Sequence, residues 1–296
     1  MRKIIIISLL QGLLMCITYA QQMENPLRIG LIADPQYADK ADGKTRFYRN
    51  SLEKLDDAVQ RFNSASLDMT IVLGDMVDEG PKDAKPIIDR LKKLTMPFYL
   101  ILGNHDYPKE YQVNVFKKFG MPAEYYAIDK GNWIFLFLNT NELSSYATKQ
   151  GSALSKEYLA LTTHTANLGR THLKPWNGGV SNKQMAWIIK QLNRAAKQSK
   201  PVLVFTHHPL YPEIGYEALN NRELLVLFTK HKVVKAVISG HNHAGNFMLY
   251  QDLPCITLEG MIETEDQNAF GQMELFSDKI IIQGSGRMTS RILSLR

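Results

Sequence analysis

Short apolar runs in this chain repeatedly stop at polar residues, and that repetition restricts the fold more than any bulk property does. Leu27-Arg28-Ile29-Gly30-Leu31-Ile32-Ala33 ends at Asp34. Met69-Thr70-Ile71-Val72-Leu73 ends at Gly74-Asp75, and Pro97-Phe98-Tyr99-Leu100-Ile101-Leu102 ends at Gly103-Asn104-His105. Each run has the length of a buried strand, about 4–8 residues. Between the first two, Tyr48, Leu52, Leu55, Val59 and Phe62 keep helical spacing across Phe47 to Phe62. Further strands are expected at Trp133 to Leu138, Val202 to Phe205 and Val233 to Ser239, with a closing antiparallel set near Ala269 to Phe276 and Lys279 to Gln283. Strands alternating with amphipathic stretches, without a long low-complexity linker or a repeat, predict one continuous α/β domain from Pro26 onward. Periodicity weakens only between Asn141 and Ser181, a stretch with Gly151, Gly169, Gly178 and Gly179 that reads as a lid or substrate loop.

In open α/β sheets chemistry gathers at the carboxyl ends of strands. There the chain places Asp34 and Gln36, Asp75 and Asp78, Asn104-His105-Asp106, His207-His208-Pro209, and His241 with His243. Of eight histidines, five fall in these motifs; His164, His172 and His231 lie elsewhere. Carboxylate, amide oxygen and imidazole together suit Mn²⁺, Fe or Zn²⁺ better than Ca²⁺. More such groups are present than one ion can use, which implies two ions sharing a carboxylate. Taken singly, Asp34 and Asp75 read equally well as helix N-caps. Asp78 reads as a local hydrogen-bonding residue, and Gly74, Gly103 and Gly240 as points of close backbone approach.

The ordered set D-x-Q, G-D-x-x-D, G-N-H-D, H-H-P and G-H-x-H, from Asp34 to His243, resembles the calcineurin-like metallophosphoesterase superfamily. Phe47-Tyr48-Arg49-Asn50-Ser51-Leu52, Asn177-Gly178-Gly179, and Leu258-Glu259-Gly260-Met261-Ile262-Glu263-Thr264 followed by Asn268-Ala269-Phe270-Gly271 look like the manganese-dependent ADP-ribose/CDP-alcohol diphosphatase family. Gln36 agrees, since most of the superfamily has His there. The resemblance implies a four-layer α-β-β-α sandwich of two mixed sheets, the metallo-dependent phosphatase fold, as a single domain over 26–296. It also implies two divalent ions, Mn²⁺ favoured with Fe or Zn²⁺ as alternatives. Asp34, Gln36, Asp75 and His243 would bind one ion, and Asp75, Asn104, His207 and His241 the other. Two ions about 3.5–4 Å apart can hold a bridging hydroxide for in-line attack on phosphorus.

The same resemblance gives His105 the task of stabilising transition-state charge or protonating the leaving group, with Asp106 as its orienting partner. A phosphate leaving group has a pKa near 6, roughly, so charge neutralisation matters more than protonation. His208 reads as structural, because the superfamily pattern is His-x-Pro with the first His as ligand. Arg49 and Arg222 are candidates for the substrate's phosphates or ribose, against a plain reading as solvated helix charges. Tyr37 and Phe270 are candidates to stack a base, against a plain reading as core. The reaction implied is hydrolysis of the phosphoanhydride in nucleoside-diphosphate-linked substrates such as ADP-ribose or CDP-alcohols. The alternatives are a cyclic-nucleotide or other phosphodiesterase with the same di-metal site, and a non-catalytic scaffold of this fold.

Met1-Arg2-Lys3, an apolar run from Ile4 to Ile17, and Ala20 before Gln21 read as a secretory signal peptide over 1–20. The run is short for a span of about 20 residues. An uncleaved anchor, or a lipid on Cys16, would change that reading; Met15 stands where lipoprotein signals want a small residue. The expected product is soluble and periplasmic, with no stable membrane association after cleavage. Removal of Cys16 leaves Cys255 as the only thiol and excludes an intrachain disulfide. Removal of Arg2 and Lys3 lowers the net charge from +6 to +4. That balance does not argue for nucleic acid, so the expected partner is a small nucleotide substrate.

Overall fold

The apolar runs pair into two six-stranded sheets. The computed structural model describes residues 25–170 and 172–295; the signal-peptide reading and Cys16 fall outside the described residues. In chain order the elements are β1 (Leu27–Ile32), α1 (Ser51–Ser64), β2 (Met69–Leu73), α2 (Ala84–Leu91), β3 (Phe98–Ile101), α3 (Val115–Lys118), β4 (Tyr126–Lys130), β5 (Trp133–Phe137), α4 (Ala153–Asn167) and α5 (Asn182–Lys197). Then follow β6 (Val202–Thr206), α6 (Asn221–Lys230), β7 (Val234–Ser239), β8 (Ala244–Tyr250), β9 (Leu253–Glu259), β10 (Ala269–Leu275), β11 (Lys279–Gly286) and β12 (Arg291–Ser294). One sheet has the order β12-β11-β10-β1-β2-β3, the other β4-β5-β6-β7-β9-β8. Both are mixed: β1, β2 and β3 run parallel while β10 to β12 are antiparallel, and β5, β6, β7 and β9 run parallel between antiparallel β4 and β8.

Period-two alternation assigns each face of the second sheet. Ile134, Leu136, Val202 and Val204 pack with Ile188 and Leu192 of α5 and Leu224, Leu225 and Phe228 of α6. The alternate residues Phe135, Phe137, Leu203 and Phe205 face inward and join a core with the first sheet, which also takes in Leu55 and Phe62 of α1 and Ile87 and Leu91 of α2. The layers are therefore α-β-β-α in one domain, as the family resemblance implied. The stretch from Asn141 to Ser181 departs from the expected loop, because it contains the 15-residue helix α4. Only Ser155 and Thr165 of α4 are buried, so this helix carries no apolar stripe for periodicity to reveal.

Parallel register then brings the motifs together. Ile32 lies opposite Val72, and Leu73 opposite Ile101, so the loops carrying Asp34, Asp75 and Asn104 leave one sheet side by side. In the other sheet Thr206 lies opposite Ser239, which sets His207 beside Gly240 and His241.

Candidate metal centre

The backbone at this edge is strained where the donors sit. Asp34, Gln36, Asp75 and His241 all have φ between 46° and 68°, a region that L-residues occupy only when surrounding contacts enforce it. Hydrogen bonds supply part of that enforcement: Gln36 N donates to Asp75 O at 2.7 Å, and His241 N donates to both carboxylate oxygens of Asp34 at 2.9 and 3.1 Å. Gly103 lets the third loop close in. A Cβ there would strike the Asp75 carboxylate and lie 2.5 Å from Cε1 of His207.

Two donor groups have ligand atoms within 4.8 Å of one another, Asp34–Asp75–His243 and Asp75–His207–His241, and Asp75 belongs to both. All are buried, Asp34 and His207 completely. His207 Nδ1 faces Leu73 O at 2.8 Å, so its Nδ1–H donates to that carbonyl and Nε2 turns its lone pair inward. Nε2 lies 3.2 Å from Asn104 Oδ1 and 3.3 Å from Asp75 Oδ2. Three acceptors thus converge with no hydrogen to share once His207 is neutral. Burial opposes a charge on His207, but Asp75 outweighs it and lifts the pKa to about 9. Without a metal ion, a proton is the cation drawn to this point. Burial likewise works against an ionised Asp75, and the surrounding histidines still hold its carboxyl well below the usual range. Gln36 Oε1 is buried without a hydrogen-bond partner, although buried acceptors are almost always paired. This donor set fits two divalent ions sharing Asp75.

Other side chains orient the donors. His243 Nδ1 is 2.8 Å from Glu263 Oε1, and His241 Nε2 is 3.1 Å from Asn177 Oδ1, the outer contacts that fix a ligating imidazole. Asn177 also donates from Nδ2 to His172 O at 2.8 Å and Gly215 O at 2.9 Å, pinning two rim loops to the same ligand. Both residues stand inside motifs visible in the sequence, but their roles depend on neighbours 20 and 64 positions away.

The expected partnership of His105 with Asp106 is corrected here. Asp106 accepts from Met76 N, Val77 N and Gly103 N at 2.8, 3.1 and 2.8 Å, which fastens two of the loops together. The His105 ring is held instead by Asp78, whose Oδ1 and backbone O both lie 3.1 Å from Nδ1. Desolvation disfavours charge on His105, yet Asp75 and Asp78 together raise its pKa to about 9. His208 is structural: Thr140 Oγ1 and Trp176 O flank its two ring nitrogens at 2.8 and 2.9 Å. Burial, reinforced by His207, drives its pKa down to about 3.

The expected substrate residues fare unevenly. Phe270 is 1% exposed and packs edge-on against Phe62 in the core, so it has no face for a base, and this expectation is corrected. Tyr37 is half-buried beside the same core, with its backbone bridged to Val77. Arg49 is exposed and bonds Asp39 at 2.7 Å; Arg222 makes two 2.6 Å bonds to Glu213. The aromatics that sequence reasoning missed are Trp176 and Tyr216, 44% and 39% exposed. Tyr216 stands edge-on to His241 with centroids 5.7 Å apart. Neither sits at a strand end, so nothing in its local pattern marked it.

Two sheets delivering carboxylates, amides and imidazoles to one buried cluster, its two donor groups sharing Asp75, define a di-metal phosphohydrolase. The chain belongs to the calcineurin-like phosphoesterase family, whose family model matches residues 27–245. It is 28% identical over 324 residues to the human manganese-dependent ADP-ribose/CDP-alcohol diphosphatase, covering 92% of this chain and 94% of that one. The Arabidopsis thaliana protein of the same name is 28% identical over 298 residues, covering 88% and 94%. A crystal structure of a dimetal phosphatase from Danio rerio superposes with a TM-score of 0.80 at 25% identity, covering 92% of this chain and 100% of that one. A purple acid phosphatase from yellow lupin shares the fold, with a TM-score of 0.57 at 14% identity over 92% of this chain and 53% of that one.

Proposed function

We propose that this protein hydrolyses the phosphoanhydride of nucleoside-diphosphate-linked small molecules such as ADP-ribose or CDP-alcohols, with Mn²⁺ as its preferred ion. The observation that carries this reading is Gln36 Oε1, a buried acceptor with no protein partner two residues after Asp34. A neutral oxygen in place of an imidazole nitrogen makes a harder site, which favours Mn²⁺ over Zn²⁺. Similarity to the named diphosphatases over nearly the whole length supports the same substrate class.

Bound divalent ions supply Lewis acidity toward a phosphoryl oxygen and a more acidic water. The chain's own residues do the rest. Asp34, Gln36, Asp75 and His243 would hold one ion, and Asp75, Asn104, His207 and His241 the other. His105, held by Asp78 with 30% of its side chain exposed, offsets charge gathering on the departing phosphate. That phosphate is a good leaving group, with a second pKa of about 6, so proton donation is not the main demand. Tyr216, whose ring stands beside His241, and Trp176, whose backbone O contacts His208, are partly exposed aromatics for a nucleoside base in this reading. In this reading the partner is a small nucleotide, as the names of the similar diphosphatases suggest.

The leader supports export. Residues 1–20 act as a signal peptide in this reading, cleaved near Gln21, and the mature protein works in the periplasm. Among the described residues no helix is long and apolar enough to cross a membrane. Mass spectrometry of protein from its native host checks this assignment, which a retained Met1 or a lipidated Cys16 overturns.

A substrate panel tests the activity. With Mn²⁺, ADP-ribose should give AMP and ribose 5-phosphate, or CDP-choline CMP and phosphocholine, at higher kcat/KM than cyclic AMP or p-nitrophenyl diesters. Turnover confined to diesters would instead establish a phosphodiesterase.

A further inference from the structure

A glutamine ligand carries a problem that an imidazole does not. Its amide presents a lone-pair oxygen on one side and two hydrogens on the other, so the wrong rotamer aims hydrogens at a cation. Something must choose between the ends. In this structure Gln36 Nε2 lies 2.5 Å from Asp78 Oδ1, and Oε1 is the buried atom without a partner. A carboxylate can only accept, so it selects the NH₂ end and directs the oxygen away from itself.

Asp78 is itself fixed. Lys40 Nζ pairs with its other oxygen, Oδ2, and stands 4.1 Å above the centroid of the Tyr48 ring. The Asp78 side chain is 7% exposed. With Oδ2 occupied by an ammonium, Oδ1 is left to accept from the Gln36 amide at 2.5 Å and from His105 Nδ1 at 3.1 Å. Tyr37 closes the arrangement from the backbone, since Asp78 N donates to Tyr37 O at 2.9 Å.

We propose that Asp78, braced by Lys40, is the positioning residue that sets the Gln36 amide with its oxygen toward the metal cluster. D-x-Q and G-D-x-x-D then act as one unit. This inference rests on the di-metal reading above, and it separates from the contact between Asp78 and His105, which bears on turnover and not on holding the ion.

The test is Mn²⁺ binding by metal-stripped protein, followed by calorimetry and electron paramagnetic resonance. In Asp78→Ala one ion should bind about 10–100-fold more weakly, as when other outer partners of a ligand are lost, while the second keeps its affinity. Asp78→Asn retains an amide oxygen able to accept from Gln36, so its loss should be smaller than that of Asp78→Ala; this gentler variant carries the test if the alanine chain does not fold. Lys40→Met should weaken the same ion, by less than Asp78→Ala. In a Gln36→His background, Asp78→Ala should no longer affect metal affinity, although turnover still falls through His105. Unchanged Mn²⁺ affinity in Asp78→Ala, or an equal loss in the Gln36→His background, would overturn the inference with the di-metal reading intact. A wild-type protein that binds no Mn²⁺ overturns both.

Discussion

The two halves of the metal cluster share Asp75 yet are braced by opposite kinds of groups. On the Asp34–Gln36–His243 side the outer contacts are carboxylates: Glu263 on His243 and Asp78 on Gln36. On the Asn104–His207–His241 side they are neutral oxygens, Leu73 O on His207 and Asn177 Oδ1 on His241. The first half also has a carboxylate of its own, Asp34, while the second depends on Asp75 alone. Added negative charge in a buried site strengthens attraction for a cation, and a carboxylate behind an imidazole raises its basicity. The first half should therefore hold its ion more tightly, since each half has one amide ligand, Gln36 or Asn104. The second is the half expected to exchange, and it is the half tied to the rim loops through Asn177.

The most damaging way to break this contrast is to delete what the halves share. Asp75→Ala should abolish measurable turnover and reduce bound metal below about two ions per chain, as judged by steady-state assay with elemental analysis. Undiminished metal with normal turnover would remove the shared-ligand account.

Changes in the braces should act on one half each. Glu263→Gln should weaken the tighter ion by about 10–100-fold, and Asn177→Ala should weaken the looser one by a similar factor. Calorimetric Mn²⁺ titrations of the two variants would separate these effects. Asn177→Ala should also leave the carbonyls of His172 and Gly215 without their donor, so protease cleavage in the rim loops should accelerate in that variant and not in Glu263→Gln. Equal effects of both variants on both ions would mean that the halves are not independently braced.

The contrast also explains which features were legible in sequence. Asp34, Asp75, His207 and His241 stand immediately after buried strands, and strand ends follow from local apolar runs. One α/β domain followed from the alternation of strands and amphipathic stretches, and its four layers from the family resemblance. Glu263, Asn177 and Asp78 act through contacts across the fold, so their motifs were visible while their tasks were not. The pairing of His105 was misassigned for the same reason: Asp106 is adjacent in sequence, but its carboxylate turns back to backbone amides. Phe270 failed as a base-stacking candidate because β10 is central in its sheet, between β1 and β11. Helix α4 was missed because its sides are mostly solvated.

The smallest effect expected lies outside both halves. Arg222, through its hydrogen bonds, is the main influence on Glu213 and draws its pKa down to about 2 from an ordinary 4.5. A depressed folded-state pKa stabilises the fold above the unfolded value, and that stability is lost as pH falls through the folded one. The melting-temperature difference between wild type and Glu213→Gln should therefore be greatest above pH 4.5 and shrink as pH approaches 2, with Mn²⁺ affinity unchanged at neutral pH. A change in metal affinity would place Glu213 and Arg222 closer to the centre than their mutual pairing indicates.

The central claim is that one chain holds two ions through a common carboxylate, one half more tightly than the other. Titrating metal-stripped wild-type protein with Mn²⁺ under electron paramagnetic resonance tests it directly. The account predicts two successive phases reaching about two ions per chain, with spin coupling that develops as the second ion enters. Saturation at one ion, or two independent and uncoupled ions of equal affinity, would contradict it.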